Sequence, residues 1–339
     1  MKKGLVSIVI VNWNGMKWLH GCFTSLHTQD YKQFEIIFVD NNSDDISCEW
    51  VKKHYPKTTI IQNSENVGFS NANNIGYQKT KGEYILFLNN DVKVTEAFLS
   101  ELVKEMAEDA SVGGAQSKIL LMDKPDTLDS IGAFLTPTGF LYHYGFGQKD
   151  IKKFDRRICL YTAKGACMLF RKQVLDAVLV DGNVFDPSYF AYFEETDLCH
   201  RIWLSGYSII YVHASVVFHK MGATSSSMNS AFIQYHSFKN RISSYLKNLG
   251  IKALLMIVPI HVFLCIGFAL YSFLRGRLQF SWSIIKAILW NIRNCKKTLQ
   301  MRRYIQAHIR SMSDELLFRK IMRYPRISYY VSFVRDRKL

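Results

Sequence analysis

The sequence predicts an α/β protein: a mostly parallel central sheet flanked by helices, followed by a helical, basic and partly hydrophobic extension. Three observations predict it. Apolar runs alternate with segments of helical spacing across residues 5–219, the pattern of a parallel sheet joined by crossover helices. Residues 84–91, Tyr-Ile-Leu-Phe-Leu-Asn-Asn-Asp, end an apolar strand in two amides and a carboxylate. Such groups sit at the carboxyl edge of a sheet, where open α/β sheets bind ligands. Charge then divides the chain: residues 241–339 hold 19 Lys/Arg against 3 Asp/Glu, whereas residues 1–240 hold 24 against 25.

The elements follow in order. Leu5–Val11 is a continuous apolar run rich in β-branched residues, as a strand covered on both faces requires. Met16–His27 has helical spacing, with Trp18, Leu19, Cys22, Phe23 and Leu26 on one side. Glu35–Val39 is a second strand, closed by the turn-forming run Asp40 to Asp45. Thr59–Gln62 is a short third strand, Ser70–Thr80 a helix, Tyr84–Leu88 the fourth strand and Thr95–Glu108 a helix. Residues 110–160 carry Gly, Pro and Asp punctuation and are expected to form short strands and loops over the site. Leu160–Phe170 returns to strand character, Glu195–Ser205 is helical with Gly206 as its stop, and Ile209–Phe218 is a strand ending at His219.

The composition changes near Arg241, which divides the chain into a domain of residues 1–240 and an extension of residues 241–339. The whole carries a net charge of +15, and 48% of its residues are hydrophobic, enough for a sizeable core. A basic tail calls for a polyanionic partner, nucleic acid or anionic lipid. Ala253–Leu274 is almost wholly apolar and long enough to span a bilayer, with Pro259 and His261 near its middle. That apolar stretch would be exposed in a soluble nucleic-acid binder, which argues for an anionic membrane surface and against nucleic acid. Basic residues beyond it oppose translocation. The extension is therefore expected to lie on, re-enter from, or once cross the cytoplasmic face of the inner or plasma membrane. Seven cysteines without a C-x-x-C pair read as free thiols of a reducing compartment, and no signal-peptide pattern opens the chain.

Four constellations carry chemistry. Asn14 and Asp40 follow the first two strands and can hydrogen-bond a base and ribose, although Asp40 and Asn42 are equally ordinary turn residues. Neither familiar glycine loop for phosphates is present, so a diphosphate would need a divalent metal. Asn66, Gly68 and the amides Asn71, Asn73 and Asn74 open a helix, either as a solvated polar face or as the lining of a nucleotide pocket. Glu194, Glu195 and Asp197 crowd three carboxylates into four residues, which raises at least one pKa and suits a general base. Asp197 and Arg201 are also spaced to pair on a helix. Asp91 and His219, each at the end of a strand, are candidate metal ligands.

Together the segments SIVIVNWNG (7–15), FVDNNSDD (38–45), NVGFSNANNIG (66–76), FLNNDV (87–92), KGACMLFR (164–171) and FDPSYFAYFEETDLCHR (185–201) resemble glycosyltransferase family 2, of the GT-A fold. They look closest to its rhamnosyltransferase-like branch, which builds bacterial surface polysaccharides. The resemblance implies that a nucleoside-diphosphate sugar, such as dTDP-rhamnose, is the donor. A hydroxyl of a lipid-linked or polysaccharide acceptor receives the sugar with inversion, and Mg²⁺ or Mn²⁺ assists. It implies donor contacts from Asn14, Asp40, Asn42, Asn66, Gly68, Asn89, Asn90, Gly165, Ala166 and Arg201, and metal contacts from Asp91 and His219. Where the family has Glu-Asp this chain has Glu194-Glu195, so Glu195 takes the place of the base, with Glu194 and Asp197 as alternatives. Transfer to polyprenyl phosphate, an inactive tethered partner and a homo-oligomer remain open alternatives at this point.

Overall fold

A computed structural model describes residues 1–223 and 229–330. Thr224 and the last nine residues of the basic tail lie outside the described residues. The first half of the sheet forms as the apolar runs require: β1 (Lys2–Asn12), α1 (Met16–His27), β2 (Phe34–Asp40), α2 (Ser47–His54), β3 (Thr59–Gln62), α3 (Gly68–Tyr77) and β4 (Gly82–Asn89). Next come β5 (Val92–Val94), α4 (Phe98–Glu108), β6 (Val112–Leu121) and β7 (Lys124–Ser130). A small hairpin, β8 (Ala133–Leu135) and β9 (Leu141–His143), stands apart from the main sheet. Then follow β10 (Ile158–Leu160), β11 (Cys167–Arg171), α5 (Lys172–Ala177), α6 (Glu194–Leu204) and β12 (Ser208–His219). The chain closes with α7 (Ser230–Asn248), α8 (Ile251–Leu274), α9 (Leu278–Arg293), α10 (Cys295–Tyr304) and α11 (Asp314–Ile321).

The main sheet runs β10-β12-β6-β11-β4-β1-β2-β3, with β5 and β7 on side branches. Its β4-β1-β2-β3 half is parallel, as the strand–helix alternation requires. Beyond β4 it is mixed, because β11 enters antiparallel to both β4 and β6. Strand alternation gives the sheet two covered faces. Val9, Ile85 and Phe87 meet α3, α5 and α6 on one face. Ile8, Ile10, Leu86 and Leu88 meet α1 and α4 on the other.

Two expectations change. The single strand expected over Leu160–Phe170 is broken: β10 ends at Leu160 and β11 begins at Cys167. The intervening turn carries Lys164 and Gly165 to the sheet's ligand edge. The change of composition at Arg241 falls inside α7 rather than on a linker. Helix α7 is fixed to the body by buried ion pairs, Lys247 Nζ lying 2.6 Å from Asp186 and 3.1 Å from Asp197.

Helix α8 continues through Pro259 and has two unlike faces. Ala253, Ile257, His261, Cys265 and Ala269 are buried against neighbouring elements. Leu255, Phe263, Ile266, Leu270 and Leu274 are exposed, Phe263 and Leu274 each at 75%. His261 is held from its ring Nδ1 at 3.0 Å from the Thr138 carbonyl, and its ring lies 4.7 Å from that of Phe140. Among the described residues α8 is the one helix long and apolar enough to cross a membrane.

Candidate active site

Two adjoining cavities of about 480 and 550 Å³ open at the carboxyl ends of β1 and β4. Leu141, His143, Lys164, Glu195, Met221 and Gly222 line both. Nucleotide-sized ligands need hundreds of Å³ of such space.

At one end the first cavity is walled by Trp13, Asn41, Asn66, Gly68 and Phe69. Asn14, Asp40 and Asn42 do not line it. They build the turn behind the wall instead. Asp40 is buried, and its oxygens accept from Asn12 Nδ2 at 2.9 Å, the Ser43 amide at 2.9 Å and Ser43 Oγ at 2.6 Å. Asn14 and Asn42 both occupy the left-handed region, at φ 50° and 60°, and Asn14 Oδ1 accepts from the Asp44 amide at 2.8 Å. Asn41, which the sequence reading passed over, faces the ligand space; its amide donates to the Gly68 carbonyl and accepts from Asn63. Gly68 sits at φ +81°, and a Cβ there would lie 2.5 Å from the Phe190 carbonyl, so no other residue fits. Asn90 Nδ2 donates to Asn12 Oδ1 at 2.6 Å, and Asn12 in turn donates to Asp40. This relay locks the ends of β1, β2 and β4 together.

Asn89 and Asp91 continue the wall. Burial raises the pKa of Asp91, against the opposing influence of His219. Its Oδ1 is buried and has no hydrogen-bond partner, and His219 Nε2 stands 3.5 Å from it. His219 Nδ1 is 2.6 Å from Asp129 Oδ2, and Lys164 Nζ donates to both Asp129 oxygens at 2.6 Å. A carboxylate behind an imidazole fixes the ring and leaves the far nitrogen for a metal. An unpartnered carboxylate oxygen facing a ring nitrogen therefore fits a divalent ion. Among the described residues no cluster of three or more His, Cys, Asp or Glu side chains is placed to hold one. The remaining ligands would be phosphate oxygens and water, as Mg²⁺ commonly takes them.

Gly165 and Ala166 line the opposite wall. A Cβ at Gly165 would meet Phe69 at 3.8 Å and Glu194 Oε1 at 4.0 Å, ordinary contacts. The missing side chain thus frees ligand space rather than relieving internal packing.

The acidic trio divides. Tyr192 and Phe193 precede α6 in left-handed conformations, φ 70° and 71°, costing roughly 1–2 kcal/mol each. Asn240 of α7 holds this strained turn by donating to the Ala191 and Tyr192 carbonyls at 2.9 and 2.6 Å. The turn delivers Glu194 and Glu195 to the first cavity, and Glu195 also to the second. Glu194 Oε2 and Glu195 Oε2 are both buried without a hydrogen-bond partner. Burial pushes Glu195 up to about 7. Burial, and then the charge of Glu195, pushes Glu194 well above the usual carboxylate range. The helix dipole favours the charged forms here, but desolvation outweighs it.

Asp197 and Arg201 do not reach either cavity. Each is about 1% exposed, and Arg201 Nε lies 3.2 Å from Asp197 Oδ2. Arg201 also donates to the Val178 and Val184 carbonyls, and Asp197 Oδ1 accepts from Asn248 at 3.0 Å. Burial alone would raise Asp197, yet Lys247 and Arg201 outweigh it and hold the group below its ordinary value. The pair is an internal brace, which corrects the expectation that Arg201 touches the donor and Asp197 stands by as a base.

The sequence reading assigned no role to Trp13, Asn41, Asp129, His143, Lys164 or Arg241. An aromatic directly after a strand was the available signal for Trp13; nothing local marks Asp129, whose partners lie 35 and 90 residues away.

Known proteins share the family and the fold of this chain. A family model described as "Glycosyl transferase family 2" matches residues 7–179, just over half of the chain. The rhamnosyltransferase WbbL of Escherichia coli (strain K12) is 27% identical over 245 residues, covering 68% of this chain and 89% of the relative. Other curated relatives are much longer: the chain spans 25% of the uncharacterized protein y4gI of Sinorhizobium fredii and 17% of the glycosyltransferase GlyA of Streptococcus pneumoniae. Among solved structures, S. aureus TarS 1–349 in complex with UDP-GlcNAc superposes with a TM-score of 0.57 at 17% identity, over 90% of this chain and 88% of that one. The mannosyltransferase PcManGT of Pyrobaculum calidifontis, in complex with GDP-Man and Mn²⁺, gives a TM-score of 0.52 at 16% identity, over 85% and 86%.

Proposed function

This chain belongs to glycosyl transferase family 2, and from that premise we propose that it moves a hexosyl group from a nucleoside-diphosphate sugar to an acceptor hydroxyl with inversion. The observation that carries the reading is the position of Glu195, an unpartnered carboxylate at the junction of two cavities. The Trp13–Asn41 end of the first cavity takes the donor, and the acceptor occupies the Glu195 end together with the second cavity. Trp13 and Asn41 flank the nucleoside, and the space left by Gly165 admits the sugar. Asp91 and His219 would hold a divalent ion. When bound, that ion supplies positive charge against the donor diphosphate.

Glu195 accepts the proton of the acceptor hydroxyl as its oxygen attacks the anomeric carbon. The bond from that carbon to the diphosphate oxygen breaks on the opposite face, and the nucleoside diphosphate leaves with the electron pair. A base with a pKa near the working pH combines a useful deprotonated fraction with adequate proton affinity. Lys164, anchored on Asp129, adds a fixed cation beside the leaving group. The likeness to WbbL favours rhamnose as the sugar and a cell-surface glycan as the product. A nucleotide-release assay across a panel of activated sugars tests this, with and without chelator. Release from one donor, abolished by chelator and restored by Mg²⁺ or Mn²⁺, is the expected result; release from none, with every acceptor offered, would overturn it.

The extension seats the enzyme on a membrane. Helix α8 has one face committed to the protein along its length, so lipid cannot surround it, while its other face is apolar and exposed. Residues 241–313 contain no Asp or Glu, and Lys252, Arg275, Arg277, Lys286 and Lys296 are exposed around it. Each such residue near an anionic surface contributes about 1 kcal/mol. Full-length protein is expected to pellet with anionic vesicles and to be released by alkaline carbonate; retention after that wash would mean a span.

A further inference from the structure

Arg241 stands in the wall of the first cavity on helix α7. It is 9% exposed. Its guanidinium lies over three aromatic rings, 5.0 Å from the centroid of Phe140, 5.1 Å from Phe193 and 5.8 Å from Phe238. Its Nε is buried with no hydrogen-bond partner. Among the described residues it makes no ion pair. Every other deeply buried cation of the α6–α7 contact is satisfied: Arg201 by Asp197 and two carbonyls, Lys247 by Asp186 and Asp197, Lys239 by the Ser188 carbonyl.

A buried guanidinium without an anion is costly. Ring faces attract the cation but cannot satisfy its N–H donors as oxyanion oxygens would. Burial accordingly lowers the pKa of Arg241, against the opposing influence of Tyr245, Cys265 and Glu195. Such a group persists where a ligand supplies the missing charge. The donor diphosphate is not that ligand, because it already has Lys164 and the ion that Asp91 and His219 would hold. Arg241 lies instead toward Phe193 and Glu195. Phe140, which it covers, directly precedes Leu141, a residue shared with the second cavity. Phe140 also packs on α8 through His261.

We propose that Arg241 is the receptor for an oxyanion of the phosphate type carried by the acceptor, a second anion subsite separate from the diphosphate site. The proposal rests on the glycosyltransferase reading only for the word acceptor. The planar guanidinium offers a fork that matches phosphate oxygens, and the three rings hold it in one orientation before the ligand arrives.

Binding tests this without turnover. Full-length protein is first saturated with Mn²⁺ and an equimolar mixture of UDP, GDP and dTDP, which blocks the diphosphate site whichever base it prefers. Farnesyl phosphate, farnesol and inorganic phosphate are then titrated by calorimetry. Farnesyl phosphate is expected to bind wild type at least tenfold tighter than Arg241→Gln, with Arg241→Lys between them and farnesol insensitive to the substitution. Equal dependence on Arg241 for inorganic phosphate would identify the phosphate group alone as the ligand; dependence for farnesyl phosphate only would identify a lipid-borne phosphate. Both outcomes support the subsite. Equal farnesyl phosphate affinity in wild type and Arg241→Gln would overturn it. So would a tenfold loss of nucleoside diphosphate affinity in Arg241→Gln, which would place the residue on the donor. Melting supplies an independent reading: ligand-free Arg241→Met is expected to melt at or above the wild-type temperature, and a drop of several degrees would reveal an internal partner and sink the proposal. Failure of the donor panel, by contrast, would leave these binding results standing.

Discussion

Two sets of carboxylates lie within a few residues of each other on α6 and meet opposite environments. Asp197 looks inward to Lys247, Arg201 and Asn248, and is held charged despite full burial. Glu194 and Glu195 look outward into the cavities, have unpartnered oxygens and are pushed toward neutrality. In sequence the three are an undifferentiated acidic cluster. What separates them is the supply of cations: Arg201, one turn on along α6, and Lys247 of α7, some fifty residues on. A carboxylate supplied with partners is a brace; one denied them is a reagent.

The contrast can be broken most forcefully at the brace. Asp197→Asn removes the anion between Lys247 and Arg201, and breaking a buried pair typically costs about 3–5 kcal/mol. Chemical denaturation is expected to show that loss, while the mutant, kept cold, still binds the nucleoside diphosphate. An unchanged midpoint would mean the network is not holding α7 to the body.

A smaller effect sharpens the contrast through pH, because Glu195 and Asp186, the other acid that Lys247 binds, shift in opposite directions. Glu195 is raised from 4.5 to about 7, so the folded state binds its proton more tightly. Its favourable contribution is complete below pH 4.5 and is lost as pH rises through 7. At about 1.4 kcal/mol per unit, discounted for partial access to water, that is about 1–3 kcal/mol. Asp186 is lowered to about 2 from 3.8, where burial is outweighed by Lys247; its contribution is present above 3.8 and is lost as pH falls through 2. Glu195→Gln should therefore be more stable than wild type at pH 8 and no more stable at pH 4. A difference independent of pH would contradict the assignment.

The parallel half of the fold was legible because it is written locally. The apolar runs of β1, β2 and β4 and the helical spacing of α1 need no distant partner, and the edge formed by Asn89, Asn90 and Asp91 follows from the end of β4. The residues that chemistry needs between the cavities were not legible in that way. Asp129 matters through His219 and Lys164, contacts spanning 90 and 35 residues. Leu141 and His143 stand on a three-residue strand held by β8 and by Tyr329, 186 residues on from His143, not by its own pattern. Asn14 and Asp40 were read as ligand contacts because they follow strands, but the hydrogen bonds of their side chains are spent on the turn itself. Arg241 stood out only as a change in composition, since nothing in the chain announces that its guanidinium will lie over three rings.

Glu195, the unpartnered carboxylate between the cavities, is the group on which transfer depends. The direct measurement is the single-turnover rate at saturating donor and acceptor for wild type, Glu195→Gln and Glu194→Gln, with nucleoside diphosphate affinity measured on the same preparations. The predicted result is a loss of about 10²–10⁴-fold in Glu195→Gln with donor affinity retained, and a wild-type rate that falls as pH drops below 7. Comparable turnover in Glu195→Gln, with Glu194→Gln inactive instead, would contradict it.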